Sequence, residues 1–266
     1  MSVLKQAWIL GLLLLCGMLP LSAQRLDQDI NALAYLPQDS QRVDALNRIS
    51  EAMQREFPDS AMGFASQAMG LARKLGYSTG QTWARLNQSR AFFGKGDRSG
   101  ANAALKITKS EFAQQQNPKG QAACVLLEAD ISFENKQWVE TLASSHEADA
   151  FVGDSLPLPA AEILRGRVFM ELGNAALAKQ MFVRAKKIAS LKGEMRPRAL
   201  ASEYLGAVML TQGENDSAQI HFEDAFDSWK AVGDRVGQGI ALSGAGTAAT
   251  RAGRLEAGQK YLNSAI

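Results

Sequence analysis

The 266-residue chain is 46% hydrophobic and 21% charged, which excludes the disordered and fibrous classes and leaves an ordered protein with ample apolar surface. Its 29 basic residues stand against 27 acidic ones, so it lacks the cationic surplus of a phosphate-neutralising nucleic-acid binder.

The first residues read as a targeting segment. Lys5, the apolar run from Ala7 to Leu19 and the small residues Ser22 and Ala23 follow one another in the order of a secretory signal peptide. The run is short for a membrane-spanning helix, which needs roughly 20 residues, and Leu15 precedes Cys16 where a lipoprotein would carry a small residue. The sequence therefore predicts a signal peptide over residues 1–23 and a periplasmic or secreted chain beginning at Gln24. Cleavage removes Lys5 and Cys16, leaving a net charge of +1 and Cys124 as the sole cysteine, so no intramolecular disulfide can form.

Residues 24–41 are polar and form a leader with one short helix, broken at Pro37. A repeated array is expected over residues 42–266. Arg42 to Phe57 predicts a helix with Val43, Leu46, Ile49 and Met53 on one face, and Pro58, Asp59 and Ser60 open the next. A second hairpin runs from about Thr79 to Gln114 with its turn at Gly96, and a third carries Lys136 where the others have glycine. The connection after the third is three residues shorter, since Thr141 to Ala178 spans 37 positions. The remaining hairpins centre on Gly173, Gly213 and Gly253, spaced by 40.

The period shows in several columns at once. Gly206, Gly213, Ala218, Phe222 and Ala225 return 40 residues later as Gly246, Gly253, Gly258, Leu262 and Ala265. They return 40 residues earlier as Gly166, Gly173, Ala178, Phe182 and Ala185. Ser89 and Ala129 extend the first column upstream, and Ala101 and Thr141 extend the third. Gly153, Gly193 and Gly233 predict left-handed residues ending the second helices, with Asn117 in that role upstream. Pro118, Pro157 and Pro197 follow those stops, where proline opens a helix. A fixed period of this kind marks an all-α solenoid whose hairpins bury their apolar faces only against neighbours. The last helix stops about six residues before the next stop would fall, so Tyr261, Leu262 and Ala265 are expected to present an uncovered face on which a further domain or second copy could dock.

These columns resemble the tetratricopeptide repeat family, whose motif has a small residue and an aromatic in its first helix, glycine at the turn, then alanine, a large apolar residue and alanine. The fit is good from Leu205 through Ala225 and poor around Ala129, and the period of 40 against the family's usual 34 or so implies longer helices. The resemblance implies a right-handed superhelix of about six antiparallel hairpins, with first helices lining a concave groove that receives a peptide or partner helix. Carried onto this register, one groove column is Arg90, Asp130, Arg167, Ala207 and Thr247, and a second is Phe93, Phe133, Met170, Leu210 and Thr250. The candidate partner-binding residues are thus Arg90, Phe93, Asp130, Phe133, Arg167 and Met170. The competing reading pairs the charges along the stack and buries the phenylalanines between repeats. The family's lysine and asparagine clamp for C-terminal carboxylates is not reproduced.

Nothing assembles a nucleophile, a base and an orienter. Gly244 to Ala249 has the spacing of a dinucleotide-binding turn but falls in a helix column, and Gly94 to Gly100 lacks the Gly-Lys-Ser/Thr of a phosphate loop. His146 and His221 lack further ligands at metal-binding spacing, with His221 expected at a partly exposed surface, and Cys124 reads as a small buried hydrophobe. No cofactor or metal is expected. The resulting expectation is an exported, non-enzymatic scaffold for an unidentified protein or peptide partner. The alternatives are the extracytoplasmic input region of a bacterial signalling protein and, behind it, an enzyme whose site only folding assembles.

Overall fold

A computed structural model describes residues 23–153 and 156–265; the expected signal peptide, up to residue 22, lies outside them. The described residues form thirteen helices and no strand. A leader helix α1 (Ala23–Ala32) precedes six hairpins: α2 (Ser40–Met53) with α3 (Pro58–Leu75), α4 (Ser78–Gly94) with α5 (Arg98–Gln114), and α6 (Pro118–Glu134) with α7 (Trp138–Val152). Then come α8 (Pro159–Glu171) with α9 (Ala175–Lys192), α10 (Met195–Thr211) with α11 (Asn215–Val232), and α12 (Arg235–Arg251) with α13 (Leu255–Ser264).

Local chemistry sets the boundaries. The Asp97, Asn117, Asn174 and Asp234 side chains each accept a backbone N–H three residues on, satisfying donors that a helix start leaves without a partner. Asp39 does the same for Gln41 and Arg42, so the first array helix starts two residues before the expected Arg42, and it ends at Met53 rather than Phe57. Pro58 and Pro118 occupy first-turn positions, as expected. In the fourth hairpin that role falls to Pro159, with Pro157 left in the connection. The link from α7 to α8 is longer than its counterpart at Gly193 and Glu194, not shorter as expected, and the missing positions come out of the helices, which have 15 residues in α7 and 13 in α8.

The stops follow one rule. Gly153, Gly193 and Gly233 adopt φ of 62°, 69° and 77°, as their column requires. Upstream the left-handed residue is Gln116 (φ 50°), not Asn117. Asn117 is the cap that starts α6, since its short carboxamide reaches the Gly120 N–H at 2.9 Å. Lys136 takes φ 59° at the third hairpin's turn; the register is thus held by backbone hydrogen bonds even where glycine is missing, as when Lys136 N–H donates to the Phe133 carbonyl at 2.9 Å.

Each helix packs against its chain neighbours, and the first helices α2, α4, α6, α8, α10 and α12 also touch one another in succession. No pair of second helices does so to a comparable extent. A stack that is closer on one side than the other curves toward the close side, so the first helices form the inner wall. Between the layers lie the expected contact columns: Ser89, Ala129, Ala101, Ala178 and Ala218 are wholly buried, and Phe112 and Phe182 fill the space beside them. In the last hairpin Leu262 is 39% exposed and Ala265 half-buried.

Candidate functional site

The inner wall places residues 90 and 93, 130 and 133, and 167 and 170 in three successive first helices, each pair one turn apart on one face. Three of the six candidates meet. Arg167 Nη1 donates to Asp130 Oδ1 at 2.8 Å, its Nη2 lies 3.6 Å from Glu134 Oε1, and its guanidinium stands 3.9 Å over the Phe133 ring. Arg90 instead pairs with Glu51 of the previous hairpin at 2.9 Å and donates to Asn87 Oδ1 at 3.4 Å. Phe93 and Met170 are half-buried against their hairpins' cores. The competing reading of charges pairing along the stack therefore describes Arg167 and Asp130, whereas Arg90 turns the other way. Further along the columns, Thr247 and Thr250 turn their hydroxyls onto the carbonyls of Ser243 and Gly246, and Ala207 and Leu210 pack against the fifth hairpin's core.

Crowding at the bottom of the wall shifts its titrations. Desolvation pushes the Asp130 carboxyl above its usual range, opposed by Arg167 and Arg90. Desolvation works against the Arg167 charge, but Tyr204, Asp130 and Glu134 outweigh it, so this guanidinium holds its proton more tightly than usual. Burial likewise raises the Tyr204 phenol.

The structure adds residues that sequence reasoning missed. Asp130 and Arg167 line a cavity of about 420 Å³ whose other walls include Leu126, Ile163, Leu164 and Tyr204, together with Arg55, Arg196 and Trp229. The last three come from hairpins one and five, which the winding of the array brings together. Arg55 lies 4.9 Å over the Trp229 ring and 3.8 Å from Glu203, and the Trp229 indole N–H donates to Glu203 at 3.0 Å. Arg196 Nη2 donates to the Ala52 carbonyl at 3.1 Å, across 144 residues. The one signal in the sequence is Trp229 itself, which stands where the previous repeat has Ala189.

A second polar cluster sits between hairpins three and four. Glu162 is fully buried and Arg165 6% exposed. Arg165 donates to the Ser145 hydroxyl (3.0 Å), the Ser145 carbonyl (2.8 Å) and Glu162 Oε1 (3.0 Å), and pairs with Asp149. Arg184 reaches the same Glu162 oxygen at 3.3 Å.

The features set aside in the sequence prove structural. Gly244 to Ala249 lies inside α12, and Gly96 is a hairpin turn with φ 78°. His221 is half-buried beside Lys186 at 3.4 Å, and burial followed by that ammonium pulls its pKa down. Cys124 is wholly buried, its thiol pushed up to about 12 by desolvation, which makes it a packing residue rather than a nucleophile. Among the described residues no group of histidine, cysteine and carboxylate side chains could hold a metal ion, and no helix is long and apolar enough to cross a membrane.

No protein-family model matches the sequence, and no curated protein is similar to it in sequence. Solved structures do share the fold. A signal-transduction ATPase with numerous domains and a tetratricopeptide repeat sensor, from Pyrococcus horikoshii, aligns at 14% identity with a TM-score of 0.56, covering 84% of this chain and 35% of that one. A Rap protein complexed with Competence and Sporulation Factor aligns at 13% identity and TM-score 0.55, covering 85% of this chain and 65% of that one. The APC/C hetero-tetramer Cut9–Hcn1 provides a third, at 12% identity and TM-score 0.54, covering 92% and 46%. The chain thus spans between about a third and two thirds of the length of these proteins. At such identities the likeness is one of fold, and the fold is the tetratricopeptide-type helical solenoid.

Proposed function

We propose that this solenoid is an exported, non-enzymatic scaffold that holds a segment of a protein partner against its inner wall. The observation that carries the reading is the Asp130, Phe133 and Arg167 cluster beside a cavity of about 420 Å³. Such a wall offers an apolar floor, an aromatic face and two opposite charges within reach of one anchor side chain, the combination on which small sets of interface residues concentrate binding energy. An incoming carboxylate would compete with Asp130 for Arg167, and an incoming guanidinium would compete with Arg167 for Asp130.

The reading is tested by placing a photo-reactive amino acid at Met170 on the inner wall or at Ile107, which is 53% exposed on α5. Irradiation in the native host is expected to give a discrete protein adduct from position 170 and none from 107. The same adducts from both positions, or adducts from 107 alone, would place the partner elsewhere. Export is tested separately: the mature chain is expected to begin near Gln24, and exported protein whose intact mass retains Met1 refutes it.

A second reading, the extracytoplasmic input region of a signalling protein, draws support from the sensor repeat of the P. horikoshii protein. It also draws on the size of the cavity, which lies in the range of small-ligand sites.

A further inference from the structure

The contact between hairpins one and five does not belong to the repeat. Neighbouring hairpins meet where consecutive helices pack, whereas here two arginines bridge two surfaces that are far apart in the chain. Arg55, just past the end of α2, covers the Trp229 ring at 4.9 Å and faces Glu203 at 3.8 Å. From the opposite side Arg196, in the first turn of α10, donates to the Ala52 carbonyl at 3.1 Å and to Asp234 at 3.3 Å. The Ala52 carbonyl lies in the last turn of α2, where the helix provides no partner and the dipole is negative. Each side thus supplies one cation to a polar group on the other. Leu26 and Asp29 of the leader helix extend the same junction, lining a recess with Glu194, Met195 and Val232.

We infer that the first hairpin is a latch, closed on the fifth by Arg55 and Arg196, which shuts the side of the inner channel in the free chain. Both arginines line the cavity beside Asp130 and Arg167, so opening the latch widens the entrance to that cavity. The contact is suited to reversal. It joins polar groups at a partly wet boundary, with the Arg55 side chain 31% exposed, and cation–π and ion-pair contacts of this kind are individually weak. Ions or an acidic chain can replace Glu203 as the partner of Arg55 without disturbing any hairpin core. That the channel receives a partner rests on the preceding proposal; the closure does not.

Small-angle scattering of the full chain tests the closure without any ligand. Arg55→Ala combined with Arg196→Ala is expected to raise the radius of gyration and the maximum dimension while leaving helicity by circular dichroism unchanged. Arg198→Ala is the control: it removes an arginine of the same helix whose partner, Asp224, lies within hairpin five, and the chain should stay as compact as the native one. Should the double variant lose helicity, the native chain carries the test alone, because about 1 M salt shortens the screening length to roughly 3 Å and should expand it reversibly. Two results overturn the latch. A double variant or high-salt chain as compact as the native one shows that the stack closes by itself, and a native chain already extended at low salt shows that it does not close. Retained inner-wall cross-linking with either result would leave the scaffold reading standing, whereas expansion without any inner-wall partner would leave only the latch.

Discussion

Replacing Gly166 by leucine is expected to cost about 3 kcal/mol or more of unfolding free energy, at the high end of what overpacking a core does. A Cβ built on Gly166 would fall 2.4 Å from Phe182 Cε1 and 2.7 Å from Cζ, distances that no real contact tolerates. The ring cannot step aside. Phe182 is wholly buried and stacked on Tyr204, with centroids 4.9 Å apart and planes 10° from parallel. Alanine at the same position sets two effects against each other: roughly 1 kcal/mol gained in helix propensity and a clash of larger size. Gly166→Ala is therefore expected to destabilise, and Gly206→Ala to destabilise less, since its Cβ would approach Phe222 only to 2.9 Å. Urea midpoints measured across the three variants check the order. An unchanged midpoint for Gly166→Leu would mean that the small-residue columns are not packing columns. The functional link is Tyr204, which stacks on Phe182 with one face and lines the inner cavity, so a displaced Phe182 also deforms the channel.

That column was legible in the sequence because repetition writes the same steric demand several times. Gly166, Gly206 and Gly246 bear one constraint at one spacing, and so do the stops at Gly153, Gly193 and Gly233. Single departures were harder to read. Gln116 adopts φ of 50°, a strained value for a side-chain-bearing residue that only the surrounding hydrogen bonds impose, so nothing local announces it; Lys136, at φ 59°, is placed at its turn by the column alone. The candidate set was legible at the level of which residues share a helix face, because i and i+3 positions lie together whatever the partners are. It was not legible at the level of pairing. Arg90 and Arg167 occupy equivalent register positions, yet one turns to Glu51 and the other to Asp130 and Glu134; the choice depends on which carboxylate the next helix presents within reach. The meeting of Arg55 with Trp229 depends on superhelical winding, the sum of small rotations between hairpins, and a local pattern holds no record of that sum.

Removing Arg165 is expected to be as damaging as overfilling Gly166, for an electrostatic reason. Arg165→Met would leave Glu162, which has no exposed surface, with Arg184 as its remaining cation at 3.3 Å. One oxygen of that carboxylate, Oε2, already lacks a hydrogen-bond partner. Breaking a buried pair by deleting one member typically costs about 3–5 kcal/mol, because the survivor is buried and uncompensated, whereas replacing both members by apolar groups is often nearly neutral. Arg165→Met with Glu162→Met is accordingly expected to recover most of the loss suffered by Arg165→Met alone. Asp149 limits the recovery to less than the whole, since it too loses Arg165, although it is 20% exposed and keeps the Leu158 N–H at 2.6 Å. Acidity separates this account from a simple packing defect. Burial holds the Glu162 carboxyl above its usual range even with Arg165 and Arg184 opposing, so the folded chain keeps that proton to higher pH than the unfolded chain does. A carboxyl raised in this way contributes stability that is present below the unfolded value and lost as pH rises through the folded one. With Arg165 gone the shift grows, and the deficit of Arg165→Met relative to the native chain should narrow between about pH 8 and pH 5, while the double variant, having no such carboxyl, should show no comparable trend. Urea unfolding of the native chain and both variants at the two pH values decides the matter. A deficit independent of pH, or a double variant no more stable than the single one, would assign Arg165 a purely steric role at the seam between hairpins three and four.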